Sequence, residues 1–269
     1  MTAPLCHPER SEGSLRAKSL AATTLQNRAL TTDLFQLTLD APAIAATLAP
    51  GQFVHLRLPN PAHVLRRPFS VSAANPEAGT LDIVYQVVGA GTAELSGVTR
   101  GASLDVLGPL GRGWRPPVGT RHALLVGGGV GAAPLLPLAQ SLPAADVVLG
   151  AQTAARLVGH ADFAGRVGAD HVYITTDDGS AGQPGFATDV TRDLLAAHPY
   201  DYVATCGPEP MQRLVAALAR AADVPCQVSL ERRMACGVGV CLSCVVTTTT
   251  GRARACAEGP VFDAAEVAW

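Results

Sequence analysis

No apolar run in this 269-residue chain approaches the roughly 20 residues that a membrane-spanning helix needs. Neither sign of charge accumulates: 20 Lys and Arg stand against 22 Asp and Glu, with a formal net charge of -2 and a pI near 6.4. That balance supplies no electrostatic pull toward nucleic acid or an anionic membrane. The stretch from Met1 to about Ala17 holds Pro4, Cys6, His7, Pro8, Glu9 and Glu12 without an apolar core. It lacks the make-up of a signal peptide and reads as a loose tail or a misassigned start. The seven cysteines, four of them clustered, fit a reducing cytoplasm better than a disulfide framework. With 48% hydrophobic and only 16% charged residues, the chain is globular and long enough for two domains with sizeable cores.

What the sequence does have is concentrated near its end. Arg233-Met-Ala-Cys236-Gly-Val-Gly-Val-Cys241-Leu-Ser-Cys244 sets three cysteines at C-x4-C-x2-C spacing, and Cys256 follows. Four thiolates from one loop and a nearby segment can surround a metal centre. Gly237 and Gly239 let the backbone curl tightly and aim N–H groups at sulfur. The spacing is that of plant-type [2Fe–2S] ligation, whereas zinc sites more often pair two C-x2-C units. A zinc knuckle and plain core cysteines are the alternatives. A redox cluster implies that the rest of the chain delivers or removes electrons.

From Lys18 to Arg115 the pattern is β-like, with frequent Gly and Pro. Strands are expected at Phe35–Leu39, Gln52–Leu58, Leu81–Val88 and Ser103–Leu107, with a short helical turn as one reading of Ala41–Leu48. Short strands without a long helix suggest a small antiparallel barrel. After Pro116-Pro117 strands and helices alternate. Strands are expected at 121–126, 147–150, 172–176, 202–206 and 226–230. Helices are expected from Gly131 through Leu138, at Thr188–His198 and at Glu209–Ala222, the last with Met211, Leu214, Val215 and Leu218 on one face. This alternation predicts a doubly wound parallel sheet. The expected fold class is β + α/β: an antiparallel β-barrel over 18–117, a Rossmann-like parallel sheet over 118–230 and a cluster segment over 231–269, with 1–17 as the tail.

Three further motifs carry chemistry. Gly127-Gly-Gly-Val-Gly131 follows a strand and opens a helix, where glycine permits a tight turn and the approach of a pyrophosphate. Ala133 and Pro134 break the full G-x-G-x-x-G pattern, so a structural turn is the bland reading. Pro134 suits a first helical turn, and Pro137 is expected to kink the helix. Cys206-Gly-Pro-Glu-Pro-Met211 lies where a parallel strand meets the next helix, at the end of the sheet where such folds bind ligands. Cys206 could equally be a buried strand cysteine. Arg66-Arg67-Pro68-Phe69-Ser70 offers an arginine pair for a diphosphate before an extended segment that can reach a flavin, or simply surface charge. Gly89-Ala-Gly-Thr92 is either a backbone nest for phosphate or a hairpin turn.

Taken together, these motifs resemble the ferredoxin–NAD(P) reductase superfamily. The resemblance rests on Arg67-Pro68-Phe69-Ser70, on Gly127 to Gly131, on Cys206-Gly207-Pro208, and on Thr176-Asp-Asp-Gly-Ser180 followed by Gly185. Glu231 to Cys241 and Cys256-Ala-Glu-Gly-Pro-Val-Phe262 narrow it to the electron-transfer subunits of heteromeric, NAD-linked dihydroorotate dehydrogenases. The resemblance covers residues 18 to 263. It implies FAD held by Arg67, Pro68, Phe69, Ser70, Val84, Tyr85, Gln86, Gly91 and Thr92. It implies NAD(H) phosphates at Gly127, Gly128, Gly129 and Gly131, with Cys206, Gly207 and Pro208 near the nicotinamide. Cys236, Cys241, Cys244 and Cys256 would ligate one [2Fe–2S] cluster. NADH is the implied nucleotide, Arg156 being the candidate reader of a 2′-phosphate. The implied partner is an FMN-containing catalytic subunit, two of each chain, in cytoplasmic pyrimidine biosynthesis. No catalytic acid, base or orotate pocket is evident, as suits one part of an enzyme. The rivals are a sulfhydrogenase or NADH-dependent ferredoxin reductase component and, from another class, a zinc-stabilised binding module without redox activity.

Overall fold

The computed structural model describes residues 17–269, so the expected tail lies almost wholly outside the described residues. The first sheet contains β1 (Lys18–Ala29), β2 (Leu34–Asp40), β3 (Phe53–Arg57), β4 (Arg67–Ser70), β5 (Ala73–Asn75), β6 (Thr80–Gln86) and β7 (Ser103–Leu110), with short helices α1 (Pro42–Ala45) and α2 (Ala90–Ser96) between strands. Its order is β4-β3-β7-β1-β2-β6-β5, and every pairing is antiparallel. The two edge strands, β4 and β5, are separated in the chain by Val71 and Ser72 alone, which curls the sheet into a half-barrel. Leu37, Leu39, Val54, Leu56, Leu81, Ile83 and Val106 fill its interior. Strand alternation sends Val54 and Leu56 inward and leaves Phe53 and His55 for the opposite face.

The second sheet is assembled from β8 (His122–Gly128), β9 (Ala144–Ala151), β10 (Val172–Thr176), β11 (Gln183–Pro184), β12 (Tyr202–Cys206) and β13 (Cys226–Ser229). Its order is β11-β10-β9-β8-β12-β13, all parallel. Helices α3 (Leu136–Ser141), α4 (His160–Val167), α5 (Ala187–Ala197) and α6 (Glu209–Ala221) link the strands. Both faces are covered. Ala123, Leu125, Val147 and Leu149 pack with Leu138 and Phe163 on one side, and Leu124, Val126 and Val148 with Val190, Leu194, Val215 and Ala219 on the other.

The C-terminal segment is not a separate lobe. After the hairpin β14 (Val245–Thr248) and β15 (Gly251–Arg254), β16 (Val261–Asp263) adds antiparallel to β13 as the seventh strand of the second sheet. One apolar cluster joins all three parts: Phe53 and Leu110 from the half-barrel, Val228 and Leu230 from the parallel sheet, and Cys244, Val246, Cys256 and Phe262 from the segment.

Several local expectations are corrected. The residues after Gly128 form a 3-10 turn, Gly129–Leu135, rather than the start of a continuous α-helix. Pro137 then sits in the first turn of α3, where its missing N–H costs nothing, and so begins that helix instead of kinking it. In α6 the buried residues are Gln212, Val215, Ala216 and Ala219, while Leu214 is exposed. The small alanines let the helix approach the sheet, and the Gln212 amide donates to the Gly207 carbonyl at 2.7 Å. Gly89–Thr92 is the start of α2 rather than a hairpin.

Candidate cofactor sites

A cleft of about 410 Å³ opens between the half-barrel and the carboxyl ends of the parallel strands. Arg67, Pro68, Phe69 and Ser70 line it from edge strand β4, Val84, Tyr85 and Gln86 from β6, and Thr92 from α2. Gly131 and Cys206 line it from the second sheet. An edge strand suits this place because one side of its backbone is unpaired, and Pro68 is tolerated there for the same reason. The Tyr85 side chain belongs to the barrel core, its hydroxyl donating to Asn27 at 3.1 Å and its phenol pushed up to about 12 by burial. Only the backbone around it is left for a ligand.

The two arginines diverge. Arg66 donates to the Asp105 carboxylate at 2.6 Å and to the Asp105 carbonyl at 3.0 Å, which removes it from the cleft and corrects the idea of an arginine pair. Among the described residues Arg67 has no acidic partner and bonds only the Leu65 carbonyl, at 2.5 Å. A Cβ on Gly91 would fall 3.1 Å from Arg67 Nε and 2.9 Å from Leu58, so glycine there keeps the guanidinium in place. The Thr92 hydroxyl accepts from the Val88 and Gly89 amides at 2.9 and 3.2 Å and thereby caps α2. A guanidinium without an acidic partner among the described residues and an open strand edge suit the diphosphate and extended body of a flavin dinucleotide.

The floor of the cleft is the register of two parallel strands. Gly127 lies opposite Cys206. Close packing extends beyond that pair: a Cβ on Gly131 would be 2.6 Å from Gly207 Cα, and one on Gly128 would be 2.8 Å from Pro208 Cδ. Gly127, Gly128, Gly207 and Pro208 therefore set the floor without lining it. Gly129, with φ +54, has open space beside it. The Cys206 thiol is buried and pushed up to about 12, by desolvation first and by the Glu231 carboxylate second, so it is neutral. Arg156 pairs with Asp33 at 3.3 Å, and the same carboxylate accepts from Gln86 at 2.7 Å, which ties the candidate 2′-phosphate reader to the half-barrel. Thr176 ends β10, and Gly185 donates back to its carbonyl at 3.0 Å.

Below the cleft, the cysteine loop turns sulfur toward backbone amides. Gly239 N–H donates to Cys256 Sγ at 3.1 Å and Cys256 N–H to Cys244 Sγ at 3.4 Å. Val240 and Cys241 N–H both point at Cys236 Sγ, at 3.4 and 3.5 Å. Gly237 and Gly239 take φ of +71 and +80, a region costly to other residues, and so permit this curl. Arg254 donates to the Gly239 carbonyl at 2.7 Å and is gripped by Glu258, which stiffens the loop. Desolvation opposes ionisation of Cys236, but the hydrogen bonds outweigh it and bring the thiol down to about 6. Cys244 and Cys256 are buried, while Cys241 is exposed. Among the described residues no three side chains converge as on a single metal ion. Four thiols, three of them with amide donors, suit a two-iron cluster, which divides its thiolates between two metals.

Residues 23–114 match an oxidoreductase FAD-binding domain, and residues 231–268 match the iron–sulfur cluster binding domain of dihydroorotate dehydrogenase B. The chain is 40% identical to the dihydroorotate dehydrogenase B (NAD(+)) electron transfer subunit of Geobacillus thermodenitrificans, covering 91% of this chain and 96% of the relative. The same-named subunit of Desulforamulus reducens is 38% identical, over 87% and 92%. This chain belongs to that family.

Among solved structures, a chain of the NADH-dependent reduced ferredoxin-NADP oxidoreductase, described for flavin-based electron bifurcation, superposes with a TM-score of 0.84. It is 35% identical, over 92% of this chain and 90% of that one. An Amycolatopsis cytochrome P450 reductase, TM-score 0.64 and 24% identical, shares the fold over 77% of this chain and 66% of its own. As a family member, the protein is an oxidoreductase component with FAD and iron–sulfur domains. No helix among its described residues is long and apolar enough to cross a membrane.

Sequence reasoning missed part of the cleft. Phe53, Ser229, Leu230, Glu231, Arg232 and Met234 line it too. Glu231 is open to solvent in the cleft yet closely ringed by protein atoms, and desolvation raises its carboxyl. Its position two residues after β13, at the carboxyl end of the sheet, is the signal that could have found it.

Proposed function

We propose that this chain is the electron-transfer subunit of an NAD-linked dihydroorotate dehydrogenase. In this reading it takes electrons from an FMN-containing catalytic subunit, in a complex with two of each chain, and passes them through a [2Fe–2S] cluster and FAD to NAD⁺ in cytoplasmic pyrimidine biosynthesis. Residues 18–117 form the FAD domain, 118–230 the NAD domain and 231–269 the cluster segment. Arg67 holds the FAD diphosphate, with Gly91 and Thr92 beside it. Pro68, Phe69, Ser70 and the backbone of Val84, Tyr85 and Gln86 hold the rest. Gly129 and Gly131 receive the dinucleotide, and the neutral Cys206 thiol closes the nicotinamide end. Cys236, Cys241, Cys244 and Cys256 hold the cluster. Flavin supplies the exchange between one-electron and two-electron carriers.

The observation that carries this reading is the continuity of two sites along the chain. Met234 lines the cleft and Cys236 lies two residues on, so their Cα atoms are at most about 7 Å apart. Val238, Val240 and Leu242 are exposed around the cysteines, an apolar rim suited to a partner's surface. Anaerobically purified protein should contain one FAD, two irons and two acid-labile sulfides per chain. With its co-purifying partner it should reduce NAD⁺ with dihydroorotate. Zinc without flavin or sulfide would sink the reading.

The likeness to the NADH-dependent reduced ferredoxin-NADP oxidoreductase chain favours one alternative, a ferredoxin-linked reductase component with the same cofactors. NAD(P)H-linked ferredoxin turnover by the native complex, without dihydroorotate oxidation, would select it.

A further inference from the structure

His55 is completely buried, and neither ring nitrogen has a hydrogen-bond partner among the described residues. Burial, with Arg66 nearby as the smaller influence, lowers its pKa to about 4. The ring is therefore neutral at pH 7 and presents one N–H and one lone pair. Buried donors almost always find acceptors, because leaving one unmade forfeits its hydration for nothing.

Its surroundings indicate what acceptor it meets. Cross-strand pairing sets His55 opposite Pro68 and Phe53 opposite Ser70, so the four share one face of the sheet, and the other three line the cleft. Phe53 lies edge-on to His55 with centroids 5.7 Å apart and packs in the same cluster as Cys244 and Cys256. The cysteine loop closes over the ring: a Cβ on Gly237 would fall 2.7 Å from His55 Cε1 and Nδ1. His55 thus lies between the strand that lines the flavin cleft and the loop that begins with Cys236. Three backbone carbonyls of that segment are already engaged, Gly239 by Arg254, Cys244 by the Ala255 amide and Arg233 by the Ser243 hydroxyl. The sulfurs of the cluster held by Cys236 and its partner cysteines would be acceptors carried on this same loop.

We propose that His55 is a positioning residue that donates its ring N–H to a sulfur of the iron–sulfur cluster and raises the cluster's reduction potential. The proposal rests on the cluster reading above. Reduction adds negative charge at the cluster, and a donor aimed at sulfur stabilises the reduced state more than the oxidised one.

His55→Phe keeps a ring in the same space and removes both nitrogens. In the full chain with its partner, FAD, iron and sulfide contents should match the wild type. The cluster's midpoint potential, from a redox titration followed by EPR, should fall by at least a tenfold change in the one-electron equilibrium, about 59 mV. His55→Gln, which restores an N–H donor, should recover part of the shift. An intact cluster at unchanged potential in His55→Phe overturns the proposal. If that variant fails to load its cluster, pulsed EPR of the reduced wild-type protein grown with ¹⁵N-histidine decides: a coupled histidine nitrogen supports the proposal, and its absence overturns it. A wild-type chain without iron or sulfide would instead remove the cluster reading beneath it.

Discussion

The molecule contains two glycine-rich turns, at 127–131 and 236–239, and they use glycine for different reasons. In the first, Gly127, Gly128 and Gly131 are packed against protein: their missing Cβ atoms leave room for Ala132, Pro208 and the Gly207 backbone. Only Gly129 has both a positive φ and free space. In the second turn, Gly237 and Gly239 both have positive φ, and what the curl delivers is amide hydrogen aimed at sulfur. The same residue type therefore marks a close backbone approach in one place and a ligand-facing curl in the other. Counting glycines does not distinguish the two; φ and the neighbours of the absent Cβ do.

The largest effect should come from the second turn. Cys241→Ser replaces an exposed thiol at the loop's tip and should remove nearly all cluster iron and sulfide while FAD remains bound, as read from the visible spectrum and iron analysis. Full cluster content in that variant would end the assignment of Cys241. In the first turn, Gly131→Ala would drive a methyl to within 2.7 Å of the Cys206 carbonyl, a backbone group that cannot swing aside. We expect a loss of about 3 kcal/mol or more in a denaturation midpoint analysis. Gly237→Ala combines a left-handed φ with a clash against the His55 ring, a movable side chain, and should cost roughly 2–3 kcal/mol. Equal costs at 131 and 237 would show that the rigidity of the opposing group does not matter.

The parallel sheet was legible because its strands are nearly continuous apolar runs, as in Ala123–Val126, separated by helical stretches at 187–197 and 209–221, although the buried face expected for α6 was not the observed one. The longest barrel strand, β1, was not, because its inward positions are Ala22 and Thr24 rather than large apolar residues. The iron–sulfur segment was legible from cysteine spacing, since thiolate ligation needs those residue types close together, and residues 231–268 match an iron–sulfur cluster binding domain. The cleft was only half legible. Arg67 to Ser70 belong to a compact motif, whereas Phe53, Glu231 and Met234 come together through sheet closure and through β16 docking on β13. Only the family motif separates Arg67 from Arg66 in the sequence, and the partner of Arg66, Asp105, lies on another strand, β7.

Thiol chemistry sharpens the contrast more gently. In cluster-free protein, Cys236 titrates at about 6 under its amide donors, whereas burial pushes Cys206, beside the first turn, up to about 12. Alkylation of Cys236 should rise through pH 6 and level off by pH 8, because the thiolate is the nucleophile and is nearly complete there. Mass spectrometry at pH 7 should find Cys236 modified at least about tenfold faster than Cys206, even after the lower nucleophilicity of an acidic thiol is allowed for. Similar rates would mean that the loop amides do not govern the sulfur.

The smallest effect on stability should be the most informative about function. Gly129→Ala keeps a left-handed φ but adds a methyl where nothing lies within 4 Å, so it should cost only about 1 kcal/mol. If the first turn served packing alone, nucleotide kinetics would follow that small loss and the KM for NAD⁺ would stay within about twofold. If the open side of Gly129 is where a pyrophosphate approaches backbone N–H groups, the methyl blocks the approach, and the KM should rise by about tenfold or more with little change in kcat. A rise in KM on a stable fold would show that Gly129 faces the ligand, beside Gly131, which lines the cleft while packing on Gly207. An unchanged KM would make the turn a purely structural device and move the dinucleotide phosphates elsewhere on the sheet.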